Sequence, residues 1–201
     1  MKNNWSKKIA KKYIKRYEKL GFSNDLALRV YTTRLLGRNK ELVLHGGGNT
    51  SVKTTIRDID GKKYKVLCVK GSGWDMADIE PAGLPAVKLD PLIALKNKKY
   101  LSDEDMVAYQ KKNLIDIKSP NPSVETFLHA FLPFKYVDHT HADAVLNVTN
   151  RPGGLELCKK IFGNKVSVVP YVMPGFMLAK KIHEIYSKNP KINCLILMNH
   201  G

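Results

Sequence analysis

Hydrophobic positions recur at helical spacing in the first part of the chain. Apolar side chains stand three or four positions apart over residues 5–20, which predicts an amphipathic helix. A second helix is predicted from Ser23 or Asn24, either of which could be the N-cap, to Gly37. We therefore expect residues 5–37 to form an N-terminal helical region.

The pattern changes to β-type after the second helix. Residues 50–57 and 64–70 are rich in β-formers and flank a short Asp- and Gly-containing turn, which predicts a hairpin. One glycine loop precedes this hairpin at 45–49, and a second follows it at 70–75. We expect a glycine-loop and sheet region over residues 41–118.

A strand and two helices are predicted later in this region. The strand covers Ala86 to Leu89, and Asp90 is expected to cap a short helix directly after it. Ser102 with Asp105 resembles a capping box, which opens a helix to about Lys112.

The remaining region, 119–201, alternates helices with strands. The predicted elements are helices at 123–131, 142–148, 153–161 and 176–188, and strands at 136–141, 166–169 and 192–198. Because strands and helices interleave along the whole chain, the fold class is α/β or α+β, built on one central sheet. A buried strand seldom ends a domain, so we also expect the sequence to be cut short at its C-terminus.

Composition bounds the class of protein. A chain of 201 residues has the length expected of one domain, and it is long enough to bury a hydrophobic core. No apolar run approaches the roughly 20 residues of a membrane helix, and no secretory signal is evident at the N-terminus. Cys68, Cys158 and Cys194 lack CxxC spacing, which favours reduced thiols in a cytoplasmic protein.

The net charge of +16 raises the question of nucleic-acid binding. The lysines are spread along the whole chain without a recognised binding motif. The densest group, at residues 7–16, forms the solvated face of the first predicted helix. A basic surface also attracts phosphorylated metabolites, so nucleic acid is not the expected primary partner. A nucleic-acid-binding module stays an alternative.

The strongest candidate chemistry lies at His139 and His141. Two residues apart in a predicted strand, they point to the same face at about 6–7 Å, close enough to hold one metal ion. Glu125 lies upstream, and His200 ends the apolar run at 194–200. Three imidazoles and a carboxylate, each at the edge of an ordered element, suit a catalytic zinc site.

The two glycine loops are candidates for binding an anion. Gly48 with Asn49, and Ser72 with Gly73, combine a permissive backbone with a polar side chain beside a predicted strand. Successive backbone N–H groups in such loops can bind a terminal phosphate. The alternative is that both loops are tight turns that need glycine only for geometry. Neither loop matches a nucleotide-binding motif.

Taken in order, five motifs carry a resemblance to a known family: Gly-Gly-Asn-Thr-Ser-Val (47–52), Lys-Gly-Ser-Gly (70–73), Pro-Ser-Val-Glu (122–125), His-Thr-His (139–141) and Asn-His-Gly (199–201). Over essentially the whole chain, this order resembles the class II aldolase/adducin family. The longer strings look like the aldolase half of bifunctional rhamnulose-1-phosphate aldolase/alcohol dehydrogenase proteins. The resemblance implies a single three-layer α/β/α domain over residues 1–201 with a central mixed, largely antiparallel sheet.

The resemblance also implies an activity. It implies a zinc-dependent lyase that cleaves a ketose 1-phosphate, expected to be rhamnulose 1-phosphate, into dihydroxyacetone phosphate and an aldehyde. By motif, His139, His141 and His200 bind one Zn²⁺ per chain, and Glu125 is the catalytic acid/base. The implied phosphate-binding residues are Gly48, Asn49, Ser72, Gly73 and Ser123. A homotetramer with a role in carbohydrate metabolism is implied as well.

One position departs from the family pattern, and two other functions stay open. Val124 stands where relatives often have serine, so one phosphate-binding hydroxyl is missing. The same scaffold supports sugar-phosphate epimerases and dehydratases. It also occurs as a non-catalytic, adducin-like interaction domain, which has no need of three histidines and Glu125.

Overall fold

Two helices, α1 (Lys7–Glu18) and α2 (Asn24–Gly37), begin the chain in the computed structural model, which describes residues 3–201. Both helices start at a serine whose hydroxyl accepts a hydrogen bond from a backbone N–H in the first turn. For α2 this residue is Ser23, which settles the choice between Ser23 and Asn24. The predicted helical region is confirmed.

The main sheet has four antiparallel strands. These are β1 (Asn49–Arg57), β2 (Lys63–Val69), β3 (Ala86–Lys88) and β4 (Tyr136–His139), in the order β3-β2-β1-β4. The predicted hairpin is therefore β1–β2. In the β1–β4 pair, Asn49 lies opposite His139. Directly opposed residues share a face of the sheet, so this register brings a glycine-loop residue beside a candidate metal ligand.

Besides three short 3-10 helices, the other elements of residues 3–201 are six α-helices and a short pair of parallel strands. The helices are α3 (Leu89–Ala94), α4 (Asp103–Lys112), α5 (Thr126–Phe131), α6 (Asp143–Thr149), α7 (Gly154–Phe162) and α8 (Phe176–Lys188). Strands β5 (Ser167–Val169) and β6 (Leu195–Leu197) pair with each other. Within residues 3–201 this pair is hydrogen-bonded separately from the main sheet, where the sequence predicted one continuous sheet.

Alternation along β2 shows how the layers form. Val66 and Cys68 pack in a buried cluster with residues of α1 and α2, whereas Leu67 and Val69 pack in a second cluster with residues of α5 and α8. Successive strand residues point to opposite faces, so helices cover both sides of the sheet. The three-layer α/β/α architecture and the largely antiparallel sheet are confirmed. No helix in the described part of the chain is long and apolar enough to cross a bilayer.

Three phenylalanines fix the position of α5. Phe127 and Phe131 of α5 and Phe176 of α8 are fully buried, and their rings meet edge to face at centroid distances of 5.3–6.1 Å. Such ring pairs contribute about 0.5–1.5 kcal/mol each beyond the burial of their area. The helix that directly follows Glu125 is thereby held against the core.

Two predicted elements near the candidate site begin or end differently. The strand expected over 136–141 ends at His139, because the His141 N–H donates to Leu42 O instead of a sheet neighbour. The helix expected from Ser123 begins at Thr126. The Ser123 N–H donates to Lys70 O and Pro122 forms a β-bridge with Gly71, so this segment first follows the end of β2 and the helix begins after it.

Two further details were predicted wrongly. Asp90 is not a helix cap: it lies in the first turn of α3, because β3 runs directly into that helix and leaves Lys88 at the N-cap position. The buried strand expected at 192–198 is only β6, with Leu195 partly buried, because Asn193 and Cys194 are exposed before it.

Candidate metal centre

Three histidines converge at one edge of the main sheet. His139 ends β4, His141 follows two residues later, and His200 comes after β6. One ring nitrogen from each lies within 4.8 Å of the other two, and the Nε2 atoms of His139 and His141 are 2.9 Å apart. Among residues 3–201 this is the one cluster of metal-ligating side chains with such geometry.

Each histidine is positioned by a different part of the backbone. The pairing of β4 with β1 sets His139. The hydrogen bond to Leu42 O holds His141, whose ring packs so closely on Gly47 that a Cβ there would lie 3.2 Å from Nδ1. The turn after β6 presents His200. In this turn Asn199 adopts a left-handed conformation with φ 58°, which few residues other than glycine and asparagine accept.

The electrostatics of the cluster favour neutral imidazoles. Burial, with smaller contributions from His141 and His200, lowers the pKa of His139 to about 3. Burial and the nearby His200 also lower the pKa of His141. A neutral imidazole keeps the lone pair that a metal ion needs, so these rings are ready to act as ligands without losing a proton.

Glu125 faces the same nitrogens. Its carboxylate is buried, with Oε2 3.5 Å from His139 Nε2 and Oε1 3.4 Å from His200 Nε2. Oε1 accepts no hydrogen bond within the described chain. The carboxylate therefore directs an unpartnered oxygen toward the histidine cluster.

These donors fit a catalytic zinc ion. Tetrahedral zinc with Zn–N bonds of about 2.0–2.1 Å places its nitrogen ligands about 3.3 Å apart, within the spread seen here. Three histidine nitrogens leave one position of a tetrahedral ion open, and Glu125 lies beside the cluster. An open position next to a carboxylate is the arrangement of a catalytic rather than a structural site.

The candidate phosphate residues lie on the other side of Glu125. Asn49 Nδ2 is 2.6 Å from Glu125 Oε2 and 3.3 Å from Ser123 Oγ, so these three side chains are in contact. The second glycine loop adjoins them, because the Ser72 N–H donates to Asn121 O and Gly71 forms an antiparallel β-bridge with Pro122. Ser72 itself is exposed at the loop surface, as is Gly73, which has φ +82°.

Gly48 holds the first glycine loop against β4. Its φ is +64°, and a Cβ at this position would lie only 2.7 Å from His139 O. A side chain at residue 48 would therefore displace the strand that carries His139.

Lys70 joins the two glycine loops; the sequence placed it in the Lys-Gly-Ser-Gly motif but did not predict it as a phosphate-binding residue. Its side chain is buried, with the residue 6% exposed, and Nζ donates to Gly46 O at 2.9 Å. Burial lowers the pKa of its ammonium group, and Lys70 forms no ion pair with a carboxylate of residues 3–201. A sequence signal exists: the lysine ends an apolar strand and directly precedes a glycine loop.

His129 is a second buried polar residue behind the site. It lies one helical turn after Glu125, is fully buried, and places Nδ1 2.8 Å from Ser51 Oγ. Burial lowers the pKa of His129 to about 3, so this ring is neutral. His129 lies outside the cluster of His139, His141 and His200.

Comparisons with known proteins show the family and the fold of the chain. The family model described as "Class II Aldolase and Adducin N-terminal domain" matches residues 27–201. The N-terminal class II aldolase domain of a conserved protein from Thermoplasma acidophilum is 42% identical, with a TM-score of 0.85 over 100% of this chain and 87% of that one. An l-fuculose-1-phosphate aldolase from Thermus thermophilus shares the fold at 19% identity, with a TM-score of 0.50 over 86% of this chain and 77% of that one.

A curated relative extends the comparison to a longer protein. The Bacillus subtilis (strain 168) protein named "Uncharacterized oxidoreductase YuxG" is 42% identical over 172 residues, which make up 86% of this chain. The chain spans only 25% of the length of that relative. With a family model that matches most of its length, the chain belongs to the class II aldolase/adducin family.

Proposed function

We propose that this chain is a zinc-dependent aldolase domain that cleaves a ketose 1-phosphate, with rhamnulose 1-phosphate as the first candidate. The products are dihydroxyacetone phosphate and an aldehyde. The observation that carries the proposal is the cluster of three histidine nitrogens with the unpartnered Glu125 oxygen directed toward it. A non-catalytic interaction domain has no use for this arrangement.

In this proposal His139, His141 and His200 hold one Zn²⁺ ion. When bound, zinc supplies Lewis-acid stabilisation of negative charge on substrate oxygens. The histidines contribute neutral nitrogen ligands, since burial already disfavours the charged forms of His139 and His141. The buried setting also limits access of water to the reacting atoms.

Glu125 acts as the acid/base. Its carboxylate accepts the proton of the C4 hydroxyl, the C4–O bond becomes a carbonyl, and the C3–C4 bond breaks. The electron pair of that bond stays with the three-carbon ketone fragment, which is then protonated to give dihydroxyacetone phosphate. Asn49 donates to Glu125 Oε2 and so holds the carboxylate in one orientation during the transfer.

The phosphate group is bound by neutral donors together with one cation. The neutral set is Gly48, Asn49, Ser72, Gly73 and Ser123. Lys70 adds the positive charge which that set lacks, from a position that bridges both glycine loops. A buried ammonium without a carboxylate partner is suited to an anionic ligand, because the ligand then supplies the missing counter-charge.

The cellular setting belongs to the same proposal. We expect a cytoplasmic homotetramer with a role in rhamnose or related sugar metabolism. The word oxidoreductase in the name of the B. subtilis relative describes a much longer protein, and no redox chemistry is proposed for this domain.

The test is an aldol-cleavage assay with Glu125→Gln as the decisive variant. The zinc-loaded chain should release dihydroxyacetone phosphate from rhamnulose 1-phosphate, with fuculose 1-phosphate assayed in parallel. Glu125→Gln should keep its zinc and lose at least about 100-fold in kcat, since it removes the proton acceptor. Glu156→Gln, at an exposed carboxylate on α7, is the matched control and should retain full activity.

Two outcomes would contradict the assignment. Full turnover by Glu125→Gln would remove the proposed role of this residue. Conversion of the sugar phosphate to an isomer or to a dehydrated product, without dihydroxyacetone phosphate, would identify an epimerase or a dehydratase instead.

A further inference from the structure

The side-chain amide of Asn49 lies between the two halves of the proposed site. Its Nδ2 atom is 2.6 Å from Glu125 Oε2 and 3.3 Å from Ser123 Oγ. An amide nitrogen carries two N–H groups, so one can point to each oxygen. One side of the amide thus meets the proposed acid/base, and the other meets the proposed phosphate pocket.

This contact is the one hydrogen bond to the Glu125 carboxylate within residues 3–201. Glu125 is the N-cap residue of α5, and its carbonyl oxygen accepts the His129 N–H, but its side chain makes no capping hydrogen bond, so the helix does not fix the orientation of the carboxylate. Asn49, by contrast, is only 6% exposed, and the β1–β4 register fixes its backbone. The orientation of the carboxylate therefore depends on the orientation of the amide.

We propose that Asn49 is a positioning residue that couples phosphate binding to the orientation of Glu125. The inference rests on the proposed function. A phosphate oxygen accepts the N–H directed toward Ser123, and the other N–H holds Glu125 Oε2. Because the NH₂ group is planar, fixing one N–H direction fixes the other.

The coupling has a kinetic consequence. The phosphate lies away from the bond that breaks, yet its binding orders the group that takes the proton. Binding energy from a remote part of a substrate then appears in kcat as well as in KM. A phosphate that served only as an anchor would change KM alone.

The kinetic test compares rhamnulose 1-phosphate with unphosphorylated rhamnulose in three zinc-loaded proteins. In the wild type, kcat should be at least tenfold higher with the phosphorylated sugar. In Asn49→Ala the ratio of kcat with the phosphorylated sugar to kcat with the unphosphorylated sugar should fall to about 2 or less. Asn97→Ala, the same substitution at an exposed asparagine outside the proposed site, is the matched control and should keep the wild-type kcat ratio. An Asn49→Ala protein with the wild-type ratio would overturn the proposal.

A second measurement needs neither turnover nor a stable variant. Inorganic phosphate is titrated into ¹⁵N-labelled, zinc-loaded wild type, and the two side-chain N–H resonances of Asn49 are followed. Both should shift with the same apparent Kd as the backbone amide of Gly73.

The outcomes of the titration separate this inference from the proposed function. Phosphate-dependent shifts at Gly73 without any at Asn49, or no shifts at all, would overturn the coupling. Coupled shifts in a protein that cleaves no ketose phosphate would support the coupling and contradict the aldolase assignment.

Discussion

Buried polar side chains with few partners set the chemistry of the site. The Glu125 carboxylate accepts one hydrogen bond, and the Lys70 ammonium donates one, to Gly46 O. Each such group carries a desolvation cost that its protein partners only partly offset. Both groups lie where the proposed substrate would complete their interactions.

Lys70→Met tests the cationic part of the phosphate pocket. The substitution keeps most of the apolar stem and removes the charge, so we expect the Kd for inorganic phosphate to rise about tenfold or more. Isothermal titration calorimetry measures this directly. Lys12→Met, at an exposed lysine on α1, is the matched control for the change of net charge. Equal phosphate affinities in Lys70→Met and wild type would show that Lys70 does not contact the anion.

At the scale of single residues, the sequence predicted which residues belong to the site better than it predicted the contacts between them. His-x-His spacing and the motif order pointed to His139, His141 and His200, and the structure brings these residues together. The burial of Lys70 and the contact of Asn49 with Glu125 depend on loops that meet from distant parts of the chain. No local sequence pattern encodes such a tertiary contact. The roles assigned to the site residues stay predictions.

Helix α5 depends on a lysine from the neighbouring strand. Lys53 of β1 donates from Nζ to the carbonyl oxygens of His129, Leu132 and Phe134, each at 2.7 Å. These carbonyls lie at and beyond the C-terminal end of α5, where helices leave acceptors unsatisfied. One ammonium group thus satisfies the end of the helix that follows Glu125.

Lys53→Met should lower the free energy of unfolding by about 2–3 kcal/mol, because three carbonyls lose their common donor. Urea denaturation followed by circular dichroism measures the change. Lys65→Met is the control, since Lys65 is an exposed lysine on β2, and it should stay within about 0.5 kcal/mol of wild type. A loss of similar size in both variants would show that the three hydrogen bonds contribute little.

Helix α1 is joined to the rest of the fold by a buried hydroxyl. Tyr17 donates to the Glu80 carboxylate, which also pairs with Arg34. Burial, together with the hydrogen bond and the negative charge of Glu80, raises the pKa of Tyr17 to about 12 from its usual 10. Since the folded pKa is above the unfolded one, the contribution of this group is present below pH 10 and is lost between about pH 10 and 12.

Tyr17→Phe should therefore be less stable than wild type by about 1–2 kcal/mol at pH 8, and the difference should disappear as the pH approaches 12. Chemical denaturation at a series of pH values measures it. Tyr100→Phe, at an exposed tyrosine, serves as the control. A Tyr17→Phe difference that stays constant from pH 8 to 12 would contradict the raised pKa.

Secondary structure was predictable where it depends on residues that are close together in the sequence. Helical spacing and serine caps set α1, α2 and α4, and turn chemistry set the β1–β2 hairpin. The errors lie at Ser123 and His141, whose backbone N–H groups bind Lys70 O and Leu42 O. At His141 a tertiary hydrogen bond replaces the one that a continuing strand would have made, and at Ser123 the contact with Lys70 O holds the chain beside the end of β2 before the helix begins.

At the scale of the whole molecule, the sheet brings the site together. The antiparallel order places β1 and β4 side by side, so the first glycine loop meets the His139 strand. The separate β5–β6 pair was not predicted, because sequence pattern shows that a strand exists and not which strand it pairs with. This pair nevertheless delivers His200, the third histidine, to the same edge.

Zinc content of the purified chain tests the central claim most directly. After reconstitution and removal of excess metal, elemental analysis should find about one zinc per chain in the wild type and almost none in His139→Ala. His183→Ala, at a histidine outside the cluster, should bind as much zinc as the wild type. A wild type without zinc, or a His139→Ala protein that retains a full equivalent, would contradict the assignment of His139, His141 and His200 as a metal site.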